Sequence, residues 1–407
     1  MKTLWSLLIL STVSPLAVAA DSAPMTKTRA KLAGQKPVNI VCLGDSVTGI
    51  YYHTGGRRAY PEMVAIGLQQ IDPQAKVTVI NAGISGNTTS DGLNRLDKDV
   101  LSHRPDLVTV MFGLNDMARG SKESYQANLK TIVERCRAAG AEVLLCTPNG
   151  IIDNPGRTIA KLVEFNDAMK TVGRETQTPV CDVYAAYESV KTANPLAFRL
   201  LCSDEIHPNM DGHKLNAETI CQAITGKTVS LRSVGPPLPA TPKTLKLLAE
   251  KQPIRVVAMT PFDQWIGPAL TQLDPAAQVE IIPLKTSDQT LAQLHEAAQK
   301  IRDQRPDLVL VAVPLDVTPA FSNPQESAIH DHSWILNNAL SFGRQEWDVI
   351  GIAPSVLKPP LSDADRDRES FSQAMLRAQD LSFIQRQEKN TAEPAVILAA
   401  WLKSQRP

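Results

Sequence analysis

The sequence repeats itself at long range. L-Q-Q-I-D-P-Q-A-K-V-T-V-I at 68–80 returns as L-T-Q-L-D-P-A-A-Q-V-E-I-I at 270–282. R-P-D-L-V-T-V-M-F-G-L-N-D at 104–116 returns as R-P-D-L-V-L-V-A-V-P-L-D-V at 305–317. Each pair shares seven identities in thirteen, at offsets of 202 and 201. A common strand–helix grammar would explain the apolar matches, but not Asp-Pro and Arg-Pro-Asp falling in register. The period is far longer than a solenoid unit, so each copy is expected to fold as its own domain.

Short apolar runs alternate with segments of helical spacing in both copies. Val38 to Leu43, Val77 to Ile80, Leu107 to Phe112, Val143 to Cys146 and Val180 to Val183 read as strands. Leu93, Leu96, Val100 and Leu101, and again Leu129, Ile132, Val133 and Cys136, share one helical face. Strands this short and apolar, alternating with helices, predict a parallel sheet covered on both faces. The rhythm resumes at Ile254 to Met259, Val279 to Ile282, Leu308 to Val313 and Val349 to Ile352. In between, Pro236, Pro237, Pro239 and Pro242 crowd into S-V-G-P-P-L-P-A-T-P, an extended, stiff connector. The expected organisation is a domain over 37–226, a proline-rich linker over 227–252 and a second domain over 253–404.

Residues 1–20 carry Lys2, an apolar stretch from Leu4 to Val13 and Ala17-Val18-Ala19, the pattern of a secretory signal. The expected location is therefore periplasmic or extracellular. No other stretch has the length and apolarity of a membrane helix. The 42 Lys and Arg residues balance 42 Asp and Glu, which argues against a nucleic-acid partner. Of six cysteines, Cys42 and Cys146 sit in strand-like runs as small hydrophobes. A disulfide, which export would permit, is to be sought among Cys181, Cys202 and Cys221. None has C-x-x-C spacing, so neither a zinc site nor a redox motif is expected.

Four patches lie at strand ends or before a helix. G-D-S (44–46) closes the first strand, N-A-G-I-S-G-N-T-T (81–89) follows the second, and F-G-L-N-D-M (112–117) follows the third. L-C-S-D-E-I-H-P-N-M-D-G-H (201–213) supplies Asp204 and His207 three residues apart. Acyl transfer to water needs such parts. A serine hydroxyl requires an imidazole to take its proton and a carboxylate to hold that imidazole. The tetrahedral intermediate requires preorganised donors for its oxyanion. Ser46, His207 and Asp204 can form the triad, and Ser46 N–H, Gly86 N–H and the Asn115 amide the oxyanion hole. A parallel sheet brings its strand C-terminal ends to one edge, where distant patches converge. There is no G-x-S-x-G elbow, no G-x-G-x-x-G or G-x-x-x-x-G-K loop, and no H-E-x-x-H.

In this order, G-D-S, S-G-N-T, G-L-N-D and D-E-I-H-P resemble the successive blocks of the SGNH (GDSL) hydrolase superfamily, over roughly residues 37–226. The resemblance implies a three-layer α/β/α, flavodoxin-like fold that hydrolyses esters or thioesters without a metal or other cofactor. It assigns Ser46 as nucleophile, Gly86 and Asn115 as oxyanion donors, and Asp204 and His207 as the rest of the triad. An O-acetylated carbohydrate is the substrate class expected, with a lipid ester or thioester as the alternative. A non-catalytic carbohydrate- or envelope-binding protein that kept the fold is the reading from another class.

Other residues invite assignment. Asp45 is expected to cap a helix, Asp116 to orient its loop, and His213 to pack or cap at the start of a helix. His103 is expected to be exposed. His330 and His332 in H-D-H-S-W look like a metal pair without a third ligand, and a polar loop is expected there. Y-Y-H-T-G-G-R-R-A-Y (51–60) has no counterpart in the second copy. Tyr52, His53, Arg57 and Arg58 beside the nucleophile either recognise substrate or form a solvated surface loop. In the second copy, alignment through the strands places Phe262, Asp288 and Asp316 where the first has Ser46, Gly86 and Asn115. That domain is expected to be inert.

Overall fold

A computed structural model describes residues 25–358, 362–387 and 389–406. The signal-like segment 1–20 lies outside them. Among the described residues, ten strands form two five-stranded, all-parallel sheets. The first contains β1 (Val38–Gly44), β2 (Val77–Gly83), β3 (Leu107–Met111), β4 (Glu142–Cys146) and β5 (Val180–Cys181) in the order β2-β1-β3-β4-β5. The second contains β6 (Ile254–Met259), β7 (Val279–Leu284), β8 (Leu308–Val311), β9 (Asp348–Ile352) and β10 (Phe383–Ile384) in the order β7-β6-β8-β9-β10. This is the flavodoxin-like 2-1-3-4-5 order built twice. Helices cover the sheets, each with its own apolar core. Leu129, Ile132, Val133 and Cys136 are buried on the helix Lys122–Ala138, as their spacing predicts.

The two sheets agree in register as well as in order. Ile40 lies opposite Leu107 as Val256 lies opposite Leu308. Leu107 pairs with Glu142 as Leu308 pairs with Asp348. The repeated Arg-Pro-Asp has a structural cause. Asp106 donates its N–H to Asn39 O (2.7 Å) and its carboxylate accepts Asn39 N–H (3.0 Å). Asp307 does the same to Arg255, at 2.7 and 2.9 Å. The arginines before them, Arg104 and Arg305, are left-handed at φ 49° and 47°. Asp-Pro repeats for a similar reason: the Asp72 and Asp274 carboxylates each accept the N–H two residues on, closing a turn.

The copies extend further than their apolar runs show. The helix Thr26–Ala33 precedes β1, and the helix Pro242–Ala249 precedes β6. The Glu142 carboxylate accepts Lys27 N–H and Thr28 N–H at 2.9 and 2.8 Å. The Asp348 carboxylate, at the matching position of the second sheet, accepts Lys243 N–H and Thr244 N–H at 3.3 and 2.6 Å. A carboxylate at a helix N-terminus satisfies orphan donors and complements the helix dipole. The expected linker over 227–252 is thus corrected. Its last part is helical, because Pro242 sits in the first turn, where a missing N–H costs nothing.

Three smaller corrections follow. The stretch carrying Leu93 to Leu101 is broken into Thr89–Asn94, Leu96–Asp99 and a short 3-10 turn. Val183 begins a helix rather than ending a strand. All six cysteines are buried free thiols, so Cys181, Cys202 and Cys221 form no bridge. Cys181 instead faces Cys146 across neighbouring strands.

The segment 51–58 joins the two halves. Tyr52 N–H donates to Phe342 O (3.2 Å), and Gln345 N–H donates to Gly56 O (2.8 Å). Gly55 is left-handed, at φ 72°, and a Cβ there would stand 2.5 Å from Gln379 O. Only glycine permits so close an approach. Below it, Ser203, Asn337 and Gln379 close a buried hydrogen-bonded triangle between the domains.

Candidate active site

Strands β2, β1 and β3 are neighbours, so the loops leaving their C-terminal ends are neighbours too. Those loops carry Gly86, Ser46 and Asn115. The turn after β1 is tight: a Cβ on Gly44 would lie 1.9 Å from Thr48 Oγ1 and 2.7 Å from Met111 O. The chain therefore closes its strand with glycine and presents Ser46 at the sheet edge. Asp204 and His207 arrive from the far end of the domain, just before the helix Met210–Thr225.

Ser46 Oγ lies 2.8 Å from His207 Nε2. His207 Nδ1 lies 2.8 Å from Asp204 Oδ2 and 3.1 Å from Oδ1. With Nδ1 protonated toward the carboxylate, Nε2 is free to accept the serine proton. Asp204 Oδ1 also accepts Ile206 N–H (2.9 Å) and His207 N–H (2.8 Å), and Oδ2 accepts the Tyr52 hydroxyl (2.9 Å). Burial would push the Asp204 carboxyl up; His207 and these donors outweigh it and hold the acid well below the usual carboxylate range. Burial would likewise push His207 down, yet the adjacent Asp204 carboxylate raises it above the ordinary histidine value.

Ser46 N–H and Gly86 N–H meet no acceptor among the described residues. Gly86 adopts φ 77°, which aims its peptide without strain. The Asn115 side chain is held at its oxygen end by Arg157, whose Nη2 donates to Oδ1 at 3.0 Å while its Nε donates to Leu114 O at 2.7 Å. This fixes which end of the amide is the donor. Asn115 Nδ2 contacts Asn87 O at 3.0 Å and Asp45 Oδ2 at 3.4 Å. Arg95 bridges the first two loops, donating to Asn87 Oδ1 (2.8 Å) and Gly44 O (2.9 Å).

The remaining candidates fall as follows. The helix cap expected of Asp45 is corrected, since no helix begins directly after β1: its Oδ1 accepts Val47 N–H at 2.9 Å within the tight turn, and burial pushes its carboxyl up to about 6. Asp116 anchors Thr89 through N–H and hydroxyl (2.9 and 2.5 Å), so it orients its loop. His103 is exposed. His213 is buried and its Nδ1 accepts Tyr60 N–H at 3.0 Å; burial brings it down to about 3.

Residues 51–60, expected either to recognise substrate or to form a solvated loop, have intramolecular partners instead of a solvated surface. Arg57 donates to Pro237 O and Pro239 O in the connector (2.8 and 3.1 Å). Arg58 is buried in a bidentate pair with Asp380 of the second domain, at 2.6 and 2.7 Å. Tyr52 and His53 lie behind the triad. The His53 ring stacks on His207 at 4.4 Å and 9°, and on His213 at 5.5 Å. Burial, followed by the fields of His207 and His213, pushes His53 well below the ordinary value, so a neutral ring backs the His207 imidazole. The roles of Tyr52, His53 and Arg157 depend on tertiary contact and have no local sequence signal.

The second copy keeps a cleft of about 610 Å³ at the equivalent sheet edge, lined by Phe262, Val313, Asp316, Ala353 and Arg368 among others. Phe262 is fully buried where the first copy presents Ser46. His330 and His332 lie on the helix Glu326–Ala339 rather than in a loop. His332 is buried against Phe371, and His330 points toward His295.

With this geometry in hand, residues 42–215 match the GDSL-like Lipase/Acylhydrolase family. An acetylxylan esterase of Geobacillus stearothermophilus is 30% identical over 170 residues, covering 39% of this chain and 76% of that protein. The chain belongs to this family. An arylesterase of Vibrio mimicus is 26% identical over 193 residues, covering 47% of this chain and 90% of that protein. The thioesterase 1/protease 1/lysophospholipase L1 of Escherichia coli K12 is 27% identical over 190 residues, covering 46% and 82%. As a GDSL-like acylhydrolase, the chain is a serine carboxylic ester hydrolase. Its substrates are small-molecule esters, and among the described residues no helix is long and apolar enough to cross a membrane.

Proposed function

We propose that the protein is an exported esterase that removes acetyl groups from O-acetylated carbohydrates, using Ser46, His207 and Asp204. The observation that carries the catalytic reading is the relay from Ser46 Oγ through His207 to Asp204, 2.8 Å at each step. Ser46 Oγ attacks the ester carbonyl as His207 Nε2 takes its proton. The oxyanion that forms is met by the Ser46 and Gly86 N–H groups and by Asn115 Nδ2, whose 3.4 Å contact with Asp45 is long enough to yield. His207 then returns the proton to the departing alcohol, and water repeats the sequence on the acyl-enzyme. Similarity to an acetylxylan esterase supports the acetylated-carbohydrate reading, and the signal-like residues 1–20 support export. The second domain, without nucleophile or base, takes no part in bond breaking.

The test is acetate release from acetylated xylan and from p-nitrophenyl acetate, with Ser46→Ala alongside. Wild type should act on both, and Ser46→Ala should lose on the order of 10⁶-fold in kcat. Turnover of acyl-thioesters or lysophospholipids with no action on acetylated xylan would transfer the substrate assignment to lipid or thioester chemistry. Absence of turnover on every ester would leave a binding protein.

A further inference from the structure

The second domain carries a group of metal-ligating side chains that ester hydrolysis does not use. His295 lies on the helix Leu291–Ala298, and His330 and Asp331 lie on the helix Glu326–Ala339. One ligand atom from each lies within 4.8 Å of the others. His295 Nδ1 is 3.0 Å and His330 Nδ1 is 3.4 Å from the same oxygen, Asp331 Oδ1. Ligands bonded tetrahedrally to zinc at ~2.0–2.1 Å stand about 3.3 Å apart, so each imidazole already stands near that spacing from the Asp331 oxygen.

A second, independent contact points the same way. The far nitrogen of His330, Nε2, faces Glu205 Oε1 at 3.6 Å. A carboxylate behind the non-ligating nitrogen is the usual support of a metal-bound histidine, fixing its tautomer and raising its basicity. Glu205 belongs to the first domain, immediately after Asp204. His295 is held by its own neighbour, stacked on Trp334 at 6.3 Å and 13°. The side chains of His295 and Asp331 are 17% and 20% exposed, held in place yet open to an ion from solvent. A hydrogen-bonded His–Asp pair would account for one imidazole; it gives no reason for a second to face the same carboxylate oxygen.

We propose that His295, His330 and Asp331 bind one divalent transition-metal ion of the zinc class, with Glu205 supporting His330 from across the domain interface. Two imidazoles and a carboxylate select such ions over magnesium or calcium, which prefer all-oxygen ligands. A fourth position would be left to water. The ion's place is structural, tying the second domain to the segment that carries Asp204 and His207.

The experiment uses the tag-free full chain after chelator treatment. Zn2+ binding is measured by calorimetry, and Co2+ by the visible absorption that reports its coordination. Wild type should take up one ion per chain, and Zn2+ should raise its Tm. His295→Gln and Asp331→Asn should each lower affinity at least ~100-fold and abolish the Tm rise, and Glu205→Gln should lower affinity roughly 10–100-fold. His103→Ala, at an exposed site elsewhere, should leave binding unchanged. No stoichiometric uptake by wild type would overturn the proposal, as would uptake that survives His295→Gln and Asp331→Asn. Uptake lost only on His207→Ala would assign the ion to the triad and overturn it equally. Because the readouts are affinity, absorption and Tm, they stand apart from any test of esterase activity.

Discussion

Tyr52 donates its phenolic hydrogen to Asp204 Oδ2 at 2.9 Å, while its backbone N–H donates to Phe342 O of the second domain. Its ring lies under the Arg302 guanidinium at 5.3 Å and beside Trp334 at 6.0 Å. The second domain thus presses on the residue that donates to the Asp204 carboxylate. The insertion 51–60 that the second copy lacks is the piece that makes this connection.

Tyr52→Phe removes the hydrogen bond and keeps the ring contacts. A hydrogen bond to a charged group contributes about 1.5–3 kcal/mol to the folded state, so Tm should fall by several degrees, and kcat/KM should fall as Asp204 loses a contact that holds it. Asp204, relieved of one donor, becomes a stronger partner for the imidazolium, and the acid limb of the pH–rate profile should move to higher pH. A Tyr52→Phe variant whose rate and profile both match wild type would mean that Tyr52 acts by packing alone.

The same electrostatics fix the pH dependence of the wild type. Ester attack needs His207 neutral, because the imidazolium has no lone pair for the serine proton. Asp204 raises His207 against the opposing effect of burial, so activity should rise with pH through a midpoint above that of an unperturbed histidine. Asp204→Asn removes the raising charge and misdirects the tautomer. Its residual activity, down on the order of 10⁴-fold, should have its midpoint at lower pH. A midpoint unmoved by Asp204→Asn would show that the limb belongs to another group.

Much of this site is legible in the sequence because the chemistry needs particular residue types at particular strand ends. Ser46, Gly86 and Asn115 each follow an apolar run, and the neighbouring order of β2, β1 and β3 does the rest. Asp204 and His207 are close in sequence and precede a helix. What sequence hides is whatever depends on the packing of remote surfaces. Arg58 and Asp380 are 322 positions apart, and no local pattern says that they pair. Two arginines beside a nucleophile therefore read as substrate contacts or a solvated loop, whereas Arg58 pairs with the second domain and Arg57 holds the connector. The helix Pro242–Ala249 is hidden for a different reason. Its proline, ordinarily a breaker, stands in the one turn of a helix that tolerates it.

Arg58 and Asp380 form a buried pair, with side chains 11% and 2% exposed. Truncating one partner leaves the other charge uncompensated, which costs about 3–5 kcal/mol, whereas an apolar replacement of both is often close to neutral. Arg58→Ala should therefore lower the urea midpoint markedly, and the double variant Arg58→Leu, Asp380→Leu should recover most of the loss. Neither Arg58→Ala nor Arg57→Ala should change the ratio of rates on neutral and anionic esters, measured on the folded protein. A selective loss on anionic esters would return these arginines to substrate recognition.

On the proposed mechanism, Arg157 positions Asn115, the side-chain oxyanion donor. Its two bonds, to Asn115 Oδ1 and Leu114 O, fix the amide with Nδ2 as the donor end, facing Asn87 O and Asp45. Asn115→Ala deletes a donor and should cost roughly 10²–10³-fold in kcat. Arg157→Ala leaves the donor in place but free to rotate, so its cost should be smaller, about tenfold, and should fall on kcat more than on KM. The two losses should not add, because Arg157 has nothing to position once the amide is gone. The double variant should match Asn115→Ala alone. A double variant that is slower by the product of the single effects would mean that Arg157 meets the substrate directly.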